Sequence, residues 1–362
     1  MTTKVKVVFC SPFPHNDDLK DGFMQRVKDI DEHFKEVPRV YLEIGLRRNI
    51  VAKKKSYNKN VVVIKLNLFL HFIIITQLFK RTHNVYMHSI YNGIRILPFI
   101  YLFKNKNLIL DFHGVVPEEL KFRNMPIKSF IFNIAEKIIF KYVKKVIFVT
   151  KAMQLYVTKK YGDKYTFNSF IYSIFPSNTF IEPEKSAVKK IKDELNITDE
   201  DVVIIYSGNM QTWQNIDLML QHIKKLTEKR YKFILLTGEK KNLEMKLKDM
   251  DLDNKLNIFV KSVHPSELSA YYQIAHYGFI LRDEHILNKV ANPTKLVEYL
   301  YYGIVPIVKY KYIGDYAEYG YENIMLSELT NQLLPVKSNI NRKIAKHLMH
   351  ENNEFNCQSL ME

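Results

Sequence analysis

The chain alternates between two hydrophobic patterns, and it does so twice over. Short runs rich in Val, Ile, Phe and Tyr are followed by longer segments of helical period, the signature of strand–helix–strand units around a parallel sheet. In the first half, strands are expected at residues 5–10, 37–44, 61–66, 85–88, 108–112, 146–150 and 168–174. Helices are expected at 22–34, 68–80, 90–103 and 129–141, with a basic loop at 47–59. Pro176, Pro183 and a charged run interrupt the pattern over 176–192, which reads as a linker entering a helix. A second alternation places strands at 202–207, 232–237, 256–260, 277–281 and 305–308, helices at 216–226, 240–250, 267–274 and 294–302, and a terminal helix at 338–350. The expected fold class is α/β, with two Rossmann-like domains facing across a cleft: 1–182, 183–337, and a helical tail at 338–362. Ligands of open α/β sheets bind beyond the carboxyl ends of strands, so chemistry is sought on the loops that follow them.

Composition narrows the class. At 362 residues the chain exceeds the ~150 of a typical domain. Its 47% apolar and 25% charged residues exclude a disordered or collagenous chain. Cys10 and Cys357 lack any Cys/His metal spacing, which excludes a disulfide framework or zinc module and fits a reducing compartment. The greasiest run, 66–79 (LNLFLHFIIITQLF), is 14 residues long and contains Asn67, His71, Thr76 and Gln77. A membrane span needs about 20 apolar residues, and residues 1–10 offer no secretory h-region.

Net charge is +16, and all of it lies in the first half: residues 1–182 carry 30 Lys+Arg against 14 Asp+Glu, the remainder 24 against 24. No zinc-finger spacing, RNP-like aromatic motif or isolated basic helix is present, so nucleic acid is not the expected partner. Basic residues interleaved with apolar helices suit an anionic membrane surface. A general lysine bias is the plainer alternative.

The densest chemistry lies at 278–308 (GFILRDEHILNKVANPTKLVEYLYYGIVPIV). A strand ends in Arg282-Asp283, and Asn292-Pro293-Thr294-Lys295 opens a helix, with Asn292 a candidate cap and Pro293 suited to the first turn. Free amides and the helix dipole make that end a phosphate site, on which Arg282, Lys289 and Lys295 are expected to converge. Glu298 shares a face with Lys295 and can accept ribose hydroxyls. An ordinary capped helix with a Lys/Glu surface pair would read the same way.

NPTKLVEYLYYGIVPIV resembles the nucleotide-sugar motif of family 4 glycosyltransferases of the GT-B fold, in the branch serving bacterial cell-surface polysaccharides. The resemblance implies that Glu298 binds the donor ribose and that Gly303 leads to the next strand. Many members carry a second glutamate eight positions earlier; here that position is Val290, with Asp283, Glu284 or backbone amides as stand-ins. Segment 205–220 is similar to the first strand–loop–helix of the donor domain, with Gly208 and Asn209 approaching phosphate or sugar. Gln211, Trp213 and Gln214 stand where Arg and Lys are common, and Trp213 is either core or a sugar or loop contact. Segments 236–239, with Gly238, and 261–268, with Ser262 and Val263, resemble nucleobase loops. In LDFHGVVPEEL (110–120), His113 matches the histidine that approaches the donor sugar, whereas Glu118 and Glu119 read as helix-start carboxylates. Asp21, Gly22 and Arg26 match the loop that meets the reaction centre.

What the resemblance implies is a retaining transfer of sugar from a nucleoside diphosphate to a hydroxyl. His113, Arg282 and Lys295 would be catalytic. Gly208, Asn209, Gly238, Val263, Lys289, Asn292, Pro293, Thr294 and Glu298 would bind the donor. No cofactor or metal is expected, since Asp249-Met250-Asp251 and Asp29-Ile30-Asp31 lie in polar or helical surroundings rather than at a strand end. The expected partners are a nucleotide sugar, a glycan or lipid-linked acceptor and an anionic membrane, at the cytoplasmic face of the plasma membrane. Rival readings are a nucleotide-sugar epimerase of the same fold, a non-enzymatic basic binding protein and a dinucleotide oxidoreductase. The last lacks its Gly-x-Gly-x-x-Gly after residues 5–10.

Overall fold

The computed structural model describes residues 5–15, 22–173, 175, 180–253 and 257–362. The chain divides into two units, Met1–Ile174 with Asn352–Glu362, and Phe175–Glu351. The expected boundary between 182 and 183 is thus observed between 174 and 175. The segment expected as a separate tail is shared: helix Asn339–Glu354 begins in the second unit, and 352–362 belong to the first.

The first unit is built on eight strands: β1 (Val7–Cys10), β2 (Arg39–Gly45), β3 (Lys53–Ser56), β4 (Val61–Asn67), β5 (Asn84–His88), β6 (Asn107–Phe112), β7 (Lys145–Phe148) and β8 (Asn168–Ile171). They lie in the order 3-4-2-1-5-6-7-8, all parallel except β3, which pairs antiparallel with β4. The expected loop at 47–59 therefore contains a strand. Its four residues, KKKS, are all exposed at the sheet edge and carry no apolar alternation. The helix expected at 90–103 is broken into Ser89–Gly93, a 3₁₀ turn at Ile94–Ile96, and Leu97–Leu102, whose first turn holds Pro98.

The second unit has six parallel strands: β9 (Val202–Ser207), β10 (Tyr231–Leu236), β11 (Ile258–Lys261), β12 (Tyr277–Ile280), β13 (Val305–Val308) and β14 (Ile324–Met325), in the order 11-10-9-12-13-14. Side chains along β9 alternate between two cores, Val203 and Ile205 in one, Val202, Ile204 and Tyr206 in the other. Both faces are covered, as a parallel sheet requires.

In each unit the chain winds outward on one side of a central strand, then returns to its other side. The reversal falls between β1 and β5 in the first unit and between β9 and β12 in the second. Loops beyond the carboxyl ends of those strands diverge and leave a crevice. No helix among the described residues is long and apolar enough to cross a membrane.

Candidate functional site

At the reversal point of the second unit, β9 ends in Ser207 and Gly208, and β12 runs into Leu281-Arg282-Asp283. Asn215, in a left-handed conformation (φ 52°), joins the two loops through Nδ2, which donates to Leu281 O (2.6 Å) and Asp283 Oδ2 (3.1 Å). Helix Thr294–Tyr301 points its first turn into the same place, with its unpaired amides and positive dipole end.

Lys295, on that first turn, lies against Gly208. A Cβ at Gly208 would stand 1.8 Å from Lys295 Nζ, and its φ of +149° is one that side-chain-bearing residues avoid. The ammonium sits 4.7 Å from the centre of the Tyr206 ring, is buried, and has no hydrogen-bond acceptor among the described residues. Burial, reinforced by the nearby Arg282 charge and opposed by Glu298, lowers Lys295 to about 7. Arg282 donates from Nη1 to Asn288 Oδ1 (3.1 Å), and Asn288 is fixed in turn by donating to Asp283 O (2.8 Å). Burial pulls the Arg282 guanidinium down to about 10, and no carboxylate among the described residues pairs with it. Glu298, 7% exposed, accepts from the Tyr272 hydroxyl at 2.8 Å; that hydroxyl lies 2.7 Å from Ser207 Oγ. Two buried cations thus lie beside one carboxylate at the reversal point, an excess of positive charge suited to an anion.

The remaining expected donor residues divide. Asn209 folds its own loop: Tyr206 hydroxyl donates to its carbonyl, and its side-chain oxygen accepts from the Gln211 amide at 3.4 Å. Gly238 opens the loop after β10 and faces open space, and the neighbouring Glu239 accepts from the Met210 amide at 2.9 Å. Val263 packs its side chain on the core beyond β11. Thr294 is the first helical residue, after Pro293.

Two expectations are corrected, and two open readings gain a structural setting. Asn292 does not cap the helix: Pro293 holds the cap position, and the Asn292 side-chain oxygen accepts the Tyr316 hydroxyl. Lys289 does not converge with Arg282 and Lys295; it pairs with Glu284 at 2.8 Å on the exposed side. Asp283 is taken by Lys309 and Asn215. Trp213 lies half-buried in the Thr212–Gln214 turn and outside both cores, which leaves the sugar or loop contact of its two readings.

The first unit carries its own constellation at the β1/β5 reversal. Asp111, fully buried near the end of β6, receives Arg26 Nε (3.1 Å) and Nη2 (3.0 Å). His88 Nδ1 lies 3.2 Å from the same carboxylate and His113 Nδ1 lies 3.6 Å from it. Burial alone would raise Asp111, yet Arg26 and the two histidines hold it well below the usual carboxylate range. Burial lowers His88, against the pull of Asp111. Arg26 is therefore not a loop residue. It lies inside helix Gly22–Glu32, fully buried, with Nη1 donating to Tyr172 O at 2.8 Å. Gly22 begins that helix, exposed, and Asp21 lies outside the described residues. Glu118 and Glu119, at the start of helix Val116–Phe122, are engaged by Lys160 (2.8 Å) and Arg123 (2.7 Å). Tyr206, Tyr272, Asn215, Asn288 and Asp111 escaped sequence reasoning; each acts on a partner distant in the chain or orders a neighbour.

The two-sheet architecture is that of the GT-B glycosyltransferases, as three solved structures show. Sucrose-phosphate synthase from Thermosynechococcus elongatus is 11% identical, with 99% of this chain and 96% of that one covered and a TM-score of 0.66. A UDP-forming α,α-trehalose-phosphate synthase from Burkholderia xenovorans, in complex with glucose-6-phosphate, is 11% identical over 99% of both chains, with a TM-score of 0.63. The Anabaena protein HepE in complex with UDP-glucose is 11% identical, with 98% and 92% covered and a TM-score of 0.63. Residues 187–323, within the second unit, match the family model "Glycosyl transferases group 1". No curated protein matches the chain.

Proposed function

We propose that the protein transfers a sugar from a nucleoside-diphosphate sugar to an acceptor hydroxyl, with retention at the anomeric carbon. The observation that carries this reading is the Lys295 ammonium, buried against Gly208 and Tyr206 beside Arg282 with no protein acceptor among the described residues. A diphosphate supplies the acceptor oxygens that it lacks. Arg282 and Lys295 then face the charge that grows as the bond from the anomeric carbon to the diphosphate oxygen breaks, where a positioned donor contributes most. The acceptor oxygen forms the new bond, and its proton passes to the departing phosphate. Glu298, oriented by Tyr272, takes the ribose hydroxyls. His113, assigned by motif resemblance and 3.6 Å from Asp111, takes the sugar side.

Similar solved structures hold UDP-glucose, or UDP and glucose, so UDP-sugars are the donors to test first. A lipid-linked glycan acceptor, a place in bacterial surface polysaccharide synthesis, work at the cytoplasmic membrane face and independence of metal extend the proposal; their support is the motif resemblance and the basic first unit. Donor screening by release of nucleoside diphosphate, with and without glycan acceptors, tests it. Acceptor-dependent release is expected. Conversion of donor to an epimer without acceptor would replace transfer with epimerisation, and binding of no nucleotide would overturn the reading altogether.

A further inference from the structure

The first unit presents large apolar side chains outward at the carboxyl edge of its sheet, and basic residues accompany them. Helix Pro126–Tyr142 buries Ala135, Glu136, Ile139 and Phe140. Ile127, Phe130, Ile131 and Ile134, spaced as one helical stripe, face solvent instead, with Ile127 77% and Phe130 66% exposed. At the other flank, beyond β4, Phe69 and Ile73 are each 72% exposed, although helix Phe72–Arg81 buries Ile75 and Phe79 behind them. Beyond β2 the segment Leu46-Arg47-Arg48-Asn49-Ile50-Val51 is exposed at all but Asn49.

These segments are joined into one rim. Asn67 Nδ2 donates to Leu46 O and Arg48 O, each at 3.1 Å, tying the loop after β4 to the loop after β2. The Ile94–Ile96 turn packs on both β2 and helix Pro126–Tyr142, bridging the two flanks. Residues 44–110 contain twelve Lys and Arg and no Asp or Glu; of these, Arg47 and Arg48 lie exposed on this rim, whereas Lys80, Arg81, Lys104 and Lys106 lie at the amino ends of β5 and β6. By unit, the first carries 30 Lys+Arg against 15 Asp+Glu, the second 24 against 23.

We infer that this rim docks on an anionic lipid bilayer, with Phe69, Ile73, Ile127 and Phe130 entering the interface and Arg47 and Arg48 meeting lipid phosphates. Apolar patches of this kind on a soluble surface mark an interaction site. Helices with aliphatic and aromatic residues on one face and cations nearby lie in the bilayer interface. Ile and Leu offer bases no stacking face, so a nucleic acid matches the charge but not the aliphatic stripe. The inference rests on the proposed transfer only for the idea that the acceptor is lipid-linked; docking itself is measured without catalysis.

Flotation of the full chain with phosphatidylcholine vesicles, with or without phosphatidylglycerol, tests it. Binding to the anionic vesicles alone is expected, weakening as salt rises. The pairs Phe69→Ser/Ile73→Ser and Ile127→Ser/Phe130→Ser should each weaken it at least tenfold, as should Arg47→Gln/Arg48→Gln. Met245→Ser, an exposed residue of the second unit, should change nothing. Phe130→Trp should gain blue-shifted emission quenched by brominated lipid. Unchanged circular dichroism and UDP affinity in the serine variants would show that they are folded. Flotation equal on neutral vesicles, no flotation, or serine variants that float like the parent would overturn the inference while leaving sugar transfer standing. Vesicle binding by a protein that releases no nucleoside diphosphate would overturn the transfer and leave docking intact.

Discussion

Lys295 makes a pH-sensitive residue out of an ordinary ammonium. Its folded pKa of about 7 lies well below its usual 10.5. Between those values the unfolded chain holds a proton that the folded chain has released, so stability should rise with pH across that window and the cost of the buried charge be complete below pH 7. Lys337, also lowered to about 7 by burial and donating to Tyr272 O and Tyr302 O, adds to the same slope. Ligand binding separates them. A diphosphate should return Lys295 to its charged form, so UDP binding at pH 8 should take up a proton, read by calorimetry in buffers of different ionisation heat. Uptake should vanish at pH 6 and in Lys295→Met; none at pH 8 would remove Lys295 from the diphosphate site. Arg282→Ala should lose about 3 kcal/mol of transition-state stabilisation, a 10²–10³-fold drop in turnover with the fold kept. Glu298→Gln should weaken UDP binding with little change in melting temperature; unchanged affinity would leave Glu298 a structural partner of Tyr272.

Arg282, Lys295 and Glu298 were legible because they fall within one strand–loop–helix segment, where spacing alone brings them to a common end. Asn292 was misread because its hydroxyl partner, Tyr316, lies beyond the motif. Arg26 was misread for the same reason: Asp111 is 85 residues away, and no local pattern shows that a helical arginine will be fully buried.

At the scale of elements, the loop after β9 and the helix at Thr294 form one device. Gly208→Ala would place a methyl group where Lys295 Nζ now lies, in a backbone conformation that alanine avoids. Nucleotide affinity should fall at least tenfold, with a smaller effect on the melting temperature than on binding, because the clash falls on the end of a flexible side chain. Calorimetry and thermal unfolding of one variant check both halves. The regular elements were readable from periodicity because parallel strands are continuous apolar runs, as VVIIYS is at β9. Strand β3 was not, because pairing with β4 makes it a strand and KKKS has no pattern of its own.

For the whole molecule, each unit carries a cluster at its reversal point: the cation pair in the neutral unit and the buried histidine–carboxylate cluster in the basic one. Asp111→Asn strands the Arg26 charge and should cost about 3–5 kcal/mol in urea unfolding. A loss below 1 kcal/mol would mean that the pair is dispensable to the first unit. If Arg282, Lys295 and helix amides are the diphosphate's counter-charges, EDTA should leave turnover unchanged. A requirement for Mg²⁺ would bring in carboxylates such as Asp249 and Asp251. The duplicated α/β plan was visible in the sequence, but the path of the chain between units was not, because the contacts that return 352–362 to the first unit are with residues remote in the chain, such as Asn107 and Ser173.

That path sets an order of construction. Cys357 and Leu360 are fully buried in the same cluster as Val7 and Phe9 of β1, and Leu360 O accepts Asn107 Nδ2 at 2.7 Å. On the ribosome, the half made first must therefore wait, with part of its interior open, while the entire second unit emerges and becomes free to fold. Protease challenge of stalled nascent chains should find 175–351 protected before 1–174. The earliest-synthesised half is the last to mature, and during translation it is the half that chaperones have to guard.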